Sequence, residues 1–140
     1  MKKRSYVIPV IILSLFTLGM GNMEDTAPVT VPDTGTNYAV VMVDQSDVSM
    51  DLEKFSCGGR AFMSGKRGGG LLSIPFEEIR SVHFFLKDEV LTAKITLNDD
   101  TSVSLIVEKN RPCYGKFSHG FMKINMRDIK SILFKGQGKE

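Results

Sequence analysis

Cys57 and Cys113 are the only thiols in the chain. In an oxidising compartment a lone pair of cysteines is expected to bridge. The bridge would close a loop of about 57 residues and, through lost chain entropy, stabilise the fold by about 4 kcal/mol. Two buried free thiols, or a metal or redox role, are the alternatives. The next candidates are two Gly-Lys stretches, Gly65–Gly70 and Gly115–Gly120, where backbone N–H groups lie beside Lys66 and Arg67 in one and Lys116 and His119 in the other. Such nests can hold anions. The plainer alternative is that glycine supplies tight turns while lysine keeps them wet. Ser64-Gly65-Lys66-Arg67 does not complete a phosphate loop, because Arg60 and Arg67 occupy the places of its first Gly and its Mg²⁺-coordinating Ser/Thr.

The remaining reactive side chains carry less. Glu77-Glu78 and Asp99-Asp100 are neighbours at turns, whereas acid–base catalysis needs carboxylates held apart in different environments. His83 aligns with Leu133 in a second copy of the same pattern, and Met122 and Met126 align with Leu72 and Phe76, which marks the methionines as core filler. No nucleophile elbow, zincin or haem-attachment motif is present. The sequence therefore predicts no enzyme, no cofactor and no metal site.

The elements that must position these residues begin with an export signal. Lys2, Lys3 and Arg4 precede an apolar run from Tyr6 to Met20, and Gly19 and Gly21 supply small residues ahead of Asn22. Residues 1–21 thus read as a signal peptide, or as an N-terminal anchor if uncleaved. The run is shorter than the about 20 residues of a comfortable membrane span. The chain carries 18 Lys+Arg against 16 Asp+Glu, and three of those bases lie in the leader, leaving 15 against 16. The basic balance belongs to the leader and gives no reason to expect nucleic acid. What remains is uneven: residues 22–56 hold seven acids and one Lys, while 57–140 hold 14 bases and nine acids.

Residues 22–36 read as a Thr/Pro/Asp-rich linker, 37–134 as the domain and 135–140 as a flexible tail. Within the domain the stretch 65–84 aligns without gaps with 115–134, sharing the frame G-K-x-x-x-G-x-x-x-I-x-[FM]-x-[ED]-I-[RK]-S-[VI]-x-F. Upstream, Val41–Val48 resembles Ile95–Val103, each an alternating segment interrupted by an Asp-rich turn. Each of these hairpins leads to a Cys, so Cys57 and Cys113 are expected at equivalent places and to meet near a two-fold axis. The expected fold is all-β: two pseudo-repeats of about four strands, eight in total, forming a small sandwich or closed barrel behind a signal or anchor helix.

The hairpin followed by Gly70-Leu71-Leu72-Ser73-Ile74-Pro75-Phe76-Glu77-Glu78-Ile79 resembles small Sm-like and SH3-like β-barrel modules. In cadence the chain is also similar to uncharacterised small β-domain proteins that bacteria export. The resemblance spans residues 40–134, implies a β-barrel-like fold and carries over no functional residue. The expected function is an exported, non-catalytic interaction or structural module of the cell envelope. The alternative is a binder of an anionic small molecule or lipid headgroup through the Gly-Lys stretches. An envelope protein is the expected partner, and membrane contact is expected only through the N-terminal segment.

Overall fold

The computed structural model describes residues 29–137, so the expected leader and the first seven residues of the linker lie outside the described residues. Ten antiparallel strands form one sheet curled into a half-barrel. They are β1 (Tyr38–Asp44), β2 (Ser49–Cys57), β3 (Phe62–Arg67), β4 (Gly70–Pro75), β5 (Ile79–Lys87), β6 (Val90–Leu97), β7 (Ser102–Val107), β8 (Pro112–Phe117), β9 (Gly120–Asn125) and β10 (Ile129–Gln137). Two single 3₁₀ turns, Phe76–Glu78 and Met126–Asp128, lead into β5 and β10. The last strand runs three residues past the expected domain end at 134.

Two expectations are corrected here. There are ten strands rather than eight, because each Gly-Lys stretch is a hairpin and not a loop. Only Gly68-Gly69 and Ser118-His119 remain as turns between paired strands. The sheet is also neither a sandwich nor a closed barrel. Its order is β4-β3-β7-β6-β5-β10-β1-β2-β8-β9, and among the described residues the two end strands, β4 and β9, each have one neighbour only.

Alternation decides which side chains face the concavity. Val40 and Met42 of β1, Leu91, Ala93 and Ile95 of β6, and Leu105 and Val107 of β7 are buried, with more exposed residues between them. Four rings fill one end of the core: Phe76 stands 4.8 Å from Phe134 and 5.5 Å from Tyr38, and Phe55 stands 5.7 Å from Phe76. Met126, which the alignment matches to Phe76, is fully buried, and Met122 packs against the core edge.

The stretches that match in sequence occupy mirrored places in this order. The β3–β4 hairpin flanks β7 at one end, and the β8–β9 hairpin flanks β2 at the other, with β5 and β10 side by side at the centre. Local contacts recur in the same way. Arg80 bonds Asp100 at 2.5 Å, and Lys130 bonds Asp47 at 2.6 Å. Phe76 N–H donates to the Ala61 carbonyl and Met126 N–H to the Arg111 carbonyl, both at 3.0 Å. Each hairpin therefore packs on strands from the other half of the chain rather than its own.

Gly65 and Gly115 are strand residues, and their lack of a side chain allows this exchange. A Cβ on Gly65 would lie 2.6 Å from the Ile106 carbonyl oxygen, and one on Gly115 would lie 2.8 Å from Leu52 Cβ. Both distances are below contact, so the neighbouring strand can cross here only over glycine.

Candidate functional site

The cysteines are joined. Cys57 ends β2, Cys113 is the second residue of β8, and the two are direct partners across the strands with a Cα–Cα distance of 3.9 Å. Both are buried. The expected bridge is thus present, but by a different route from the one expected. The ungapped alignment matches Cys113 to Met63 of β3, so the cysteines are not equivalent residues. Their seam also lies three strands from the β5/β10 centre. They meet because β8 crosses to β2, not because they flank an axis.

The mirrored seams differ. Between β2 and β8 the pairing runs from Glu53↔Lys116 through Ser56↔Tyr114 to Cys57↔Cys113, with a bulge at Lys54, whose φ is 53°. Between β3 and β7 it consists of Lys66↔Ile106 alone. Where β3 and β7 diverge, a cleft of about 450 Å³ opens, lined by Ser64, Lys66, Ser73, Glu108 and Arg111 with Leu71 and Ile106 at its rim. The Ser64 and Ser73 hydroxyls share a hydrogen bond of 2.6 Å. Neither Lys66 nor Arg111 forms a salt bridge among the described residues, whereas Arg80, Lys109, Lys130 and Lys135 all do. The cleft can accept an anionic group, with two cations and two hydroxyls facing one carboxylate.

The four cationic candidates do not converge. Lys66 and Arg67 belong to the β3–β4 end of the sheet, and Lys116 and His119 to the β8–β9 end. Arg67 Nη1 donates to the Ser104 carbonyl at 3.3 Å. Lys116 faces Glu53 across the strands, in a groove that also holds Asp51 and Lys135. His119 Nδ1 stands 3.3 Å from Ser118 Oγ and its ring 6.4 Å from Phe117. That end presents a mainly apolar cleft of about 490 Å³, lined by His119 together with Val48, Met50, Phe117, Phe121 and Met122.

Sequence reasoning missed Arg111, Ser64 and Ser73. Ser64 and Ser73 could have been found from alternation, since both share the strand face of Lys66. Arg111 could not, because it matches Ala61 in the alignment and reaches the cleft only through the strand crossing.

The acidic pairs sit on turns, as expected. Asp100 binds Arg80, and Asp99 accepts from the Thr101 hydroxyl at 2.7 Å and from its N–H at 3.1 Å. The Thr101 hydroxyl, and then its N–H, hold the Asp99 carboxyl below its ordinary value. His83 is exposed on β5, opposite Lys94 and Ser131. No helix of the described residues is long and apolar enough to cross a membrane.

A family model described only as an uncharacterised protein matches residues 35–137. No curated protein and no solved structure matches the chain.

Proposed function

The chain belongs to that family of uncharacterised proteins, and we propose that it is an exported, non-catalytic β module that binds a partner in the cell envelope. The observation that carries the reading is the open sheet. Among the described residues β4 and β9 each leave one row of backbone groups without a strand neighbour, which is the template for strand addition. β4 is the less defended edge: Gly70-Leu71-Leu72-Ser73-Ile74 has no charge, and Leu71 is 83% exposed. The cystine supports export, since such a bridge persists in oxidising compartments, and the basic leader agrees with it. The mirrored strand order supports a duplicated unit whose copies exchange hairpins. Cross-linking of the native protein in its envelope fraction tests the function. One partner should be captured by the wild type and lost in Ser73→Pro, which blocks the β4 edge; capture unchanged in that variant would sink this mode of binding.

A second reading is favoured by the cleft between β3 and β7. There Lys66 and Arg111 line one site with two serines, which suits an anionic group. On this reading Lys66 is the main anion contact, Arg67 is held on the Ser104 carbonyl outside the cleft, and Lys116 and His119 lie at the opposite end of the sheet. Loss of phosphate-induced amide shifts in Lys66→Ala would support it, and shifts identical to wild type would refute it.

A further inference from the structure

On the outer face of the sheet a row of side chains runs from the β4 edge past the cleft and on to β5. Register pairs connect Leu71 of β4 to Lys66 of β3, Lys66 to Ile106 of β7, Ile106 to Thr92 of β6, and Thr92 to Phe85 of β5. Directly paired residues lie on one face, so these five side chains form a continuous line across five strands. Leu71, Ile106 and Phe85 are 83%, 50% and 56% exposed. Val90, which pairs with Lys87, is 44% exposed on the same face.

Charge on this face is predominantly positive. Lys66, Lys87 and Lys94 point outward, Arg111 lines the adjoining cleft, and none of the four is in a salt bridge among the described residues. The acids nearby are Glu108 in the cleft and Asp88 and Glu89 at the β5–β6 turn, where Glu89 is already held by Lys109. The other half of the outer face is mixed, with Asp51 and Glu53 on β2 beside Lys116 and Lys135.

We infer that this face docks on an anionic phospholipid surface, a deepening of the anion-binding reading on which it rests. Exposed aliphatic and aromatic groups alternating with unneutralised lysines match an interface that offers phosphate oxygens above hydrocarbon. The Lys66 stem runs between Leu71 and Ile106, so its ammonium reaches headgroups while its neighbours enter the acyl boundary. A soluble polyanion would use the lysines and leave the apolar row without a role. The face adds a membrane contact to the one expected of the N-terminal segment, and it sits in the half of the chain where bases outnumber acids.

Sedimentation of the full chain with vesicles of phosphatidylcholine, alone or mixed with phosphatidylglycerol, tests the inference. The basic leader also favours anionic vesicles, so the charged face is read from the difference between wild type and variants, which share that leader. The wild type should prefer the mixed vesicles, and high salt should remove that preference. Lys66→Ala/Lys94→Ala should weaken binding to mixed vesicles by up to about 30-fold. Leu71→Ser should weaken it while keeping the salt dependence. Equal binding of wild type and both variants overturns the proposal. Phosphate-induced shifts at Lys66 without vesicle preference overturn it but leave the anion reading standing, and loss of both removes both. Polyglutamate binding without vesicle binding also overturns it, and assigns the face to an acidic protein.

Discussion

Cys57 and Cys113 pair directly across β2 and β8, so the cystine fastens the β8–β9 hairpin to the other half of the chain. The mirrored hairpin, β3–β4, has no such fastening, and its backbone register with β7 is the single pair Lys66↔Ile106. This contrast governs where the molecule is expected to open first.

Reduction should therefore loosen the β8–β9 end specifically. Intact mass should rise by about 2 Da when both sulfurs take up hydrogen, and Cys57→Ala/Cys113→Ala should lose about 2–4 kcal/mol in urea unfolding. Hydrogen exchange in the double variant should accelerate in β8 and β9 before the central strands. Uniform acceleration throughout the sheet would contradict the fastening role.

The glycines separate into three outcomes. Gly65→Ala should cost about 1–3 kcal/mol or more, because its new Cβ meets the backbone oxygen of Ile106 at 2.6 Å and β7 must move. Gly68→Ala meets nothing within 4 Å but sits at φ +61°, so it should cost only about 1 kcal/mol. Gly120→Ala has open space and no positive φ, and its melting temperature should equal or exceed that of wild type. Thermal melts of the three variants check this order.

Ser56 is fully buried beside the cystine, and its hydroxyl has no hydrogen-bond partner among the described residues. A buried hydroxyl without a partner forfeits its hydration for nothing. Ser56→Ala should be neutral or stabilising by up to about 1 kcal/mol. A clear loss in the urea midpoint would mean that the hydroxyl has a bound partner.

Glu89 gives a pH signature. Its hydrogen bond from Lys109 and then the charges of Lys109 and Arg127 hold its carboxyl below the ordinary value. A carboxyl lowered on folding stabilises above its unfolded pKa, and that contribution is lost as pH falls through the folded one. The small stability difference between wild type and Glu89→Gln should therefore be present near neutral pH and vanish in acid. High salt should also shrink it, since the pair is exposed. A difference that persists in acid would show that Glu89 acts through packing.

Much of the architecture was legible in local pattern. Alternation at Ile95, Leu97, Val103, Leu105 and Val107 marked strands β6 and β7, and the gap-free match of 65–84 to 115–134 marked the segments that occupy mirrored places. Glycine misled the strand count. Gly65 and Gly115 look like loop residues when read locally, yet they are strand residues whose missing side chain is required by a neighbour about 40 to 60 positions away.

The cysteines show the same division. Their solitude in a chain with an export-like leader was enough to expect a bridge, but their supposed equivalence was not needed and does not hold.

The sequence by itself determined the all-β character, the inward and outward face of most strand residues, and the only two thiols that could bridge. These follow from composition and the two-residue period, which are local properties. Only the tertiary structure decided which strands are neighbours: β3 beside β7, β8 beside β2, and both ends left open. Alternation fixes the face of a side chain but not the strand across from it, so the Lys66–Arg111 cleft and the row from Leu71 to Phe85 come into being only when the hairpins cross between halves.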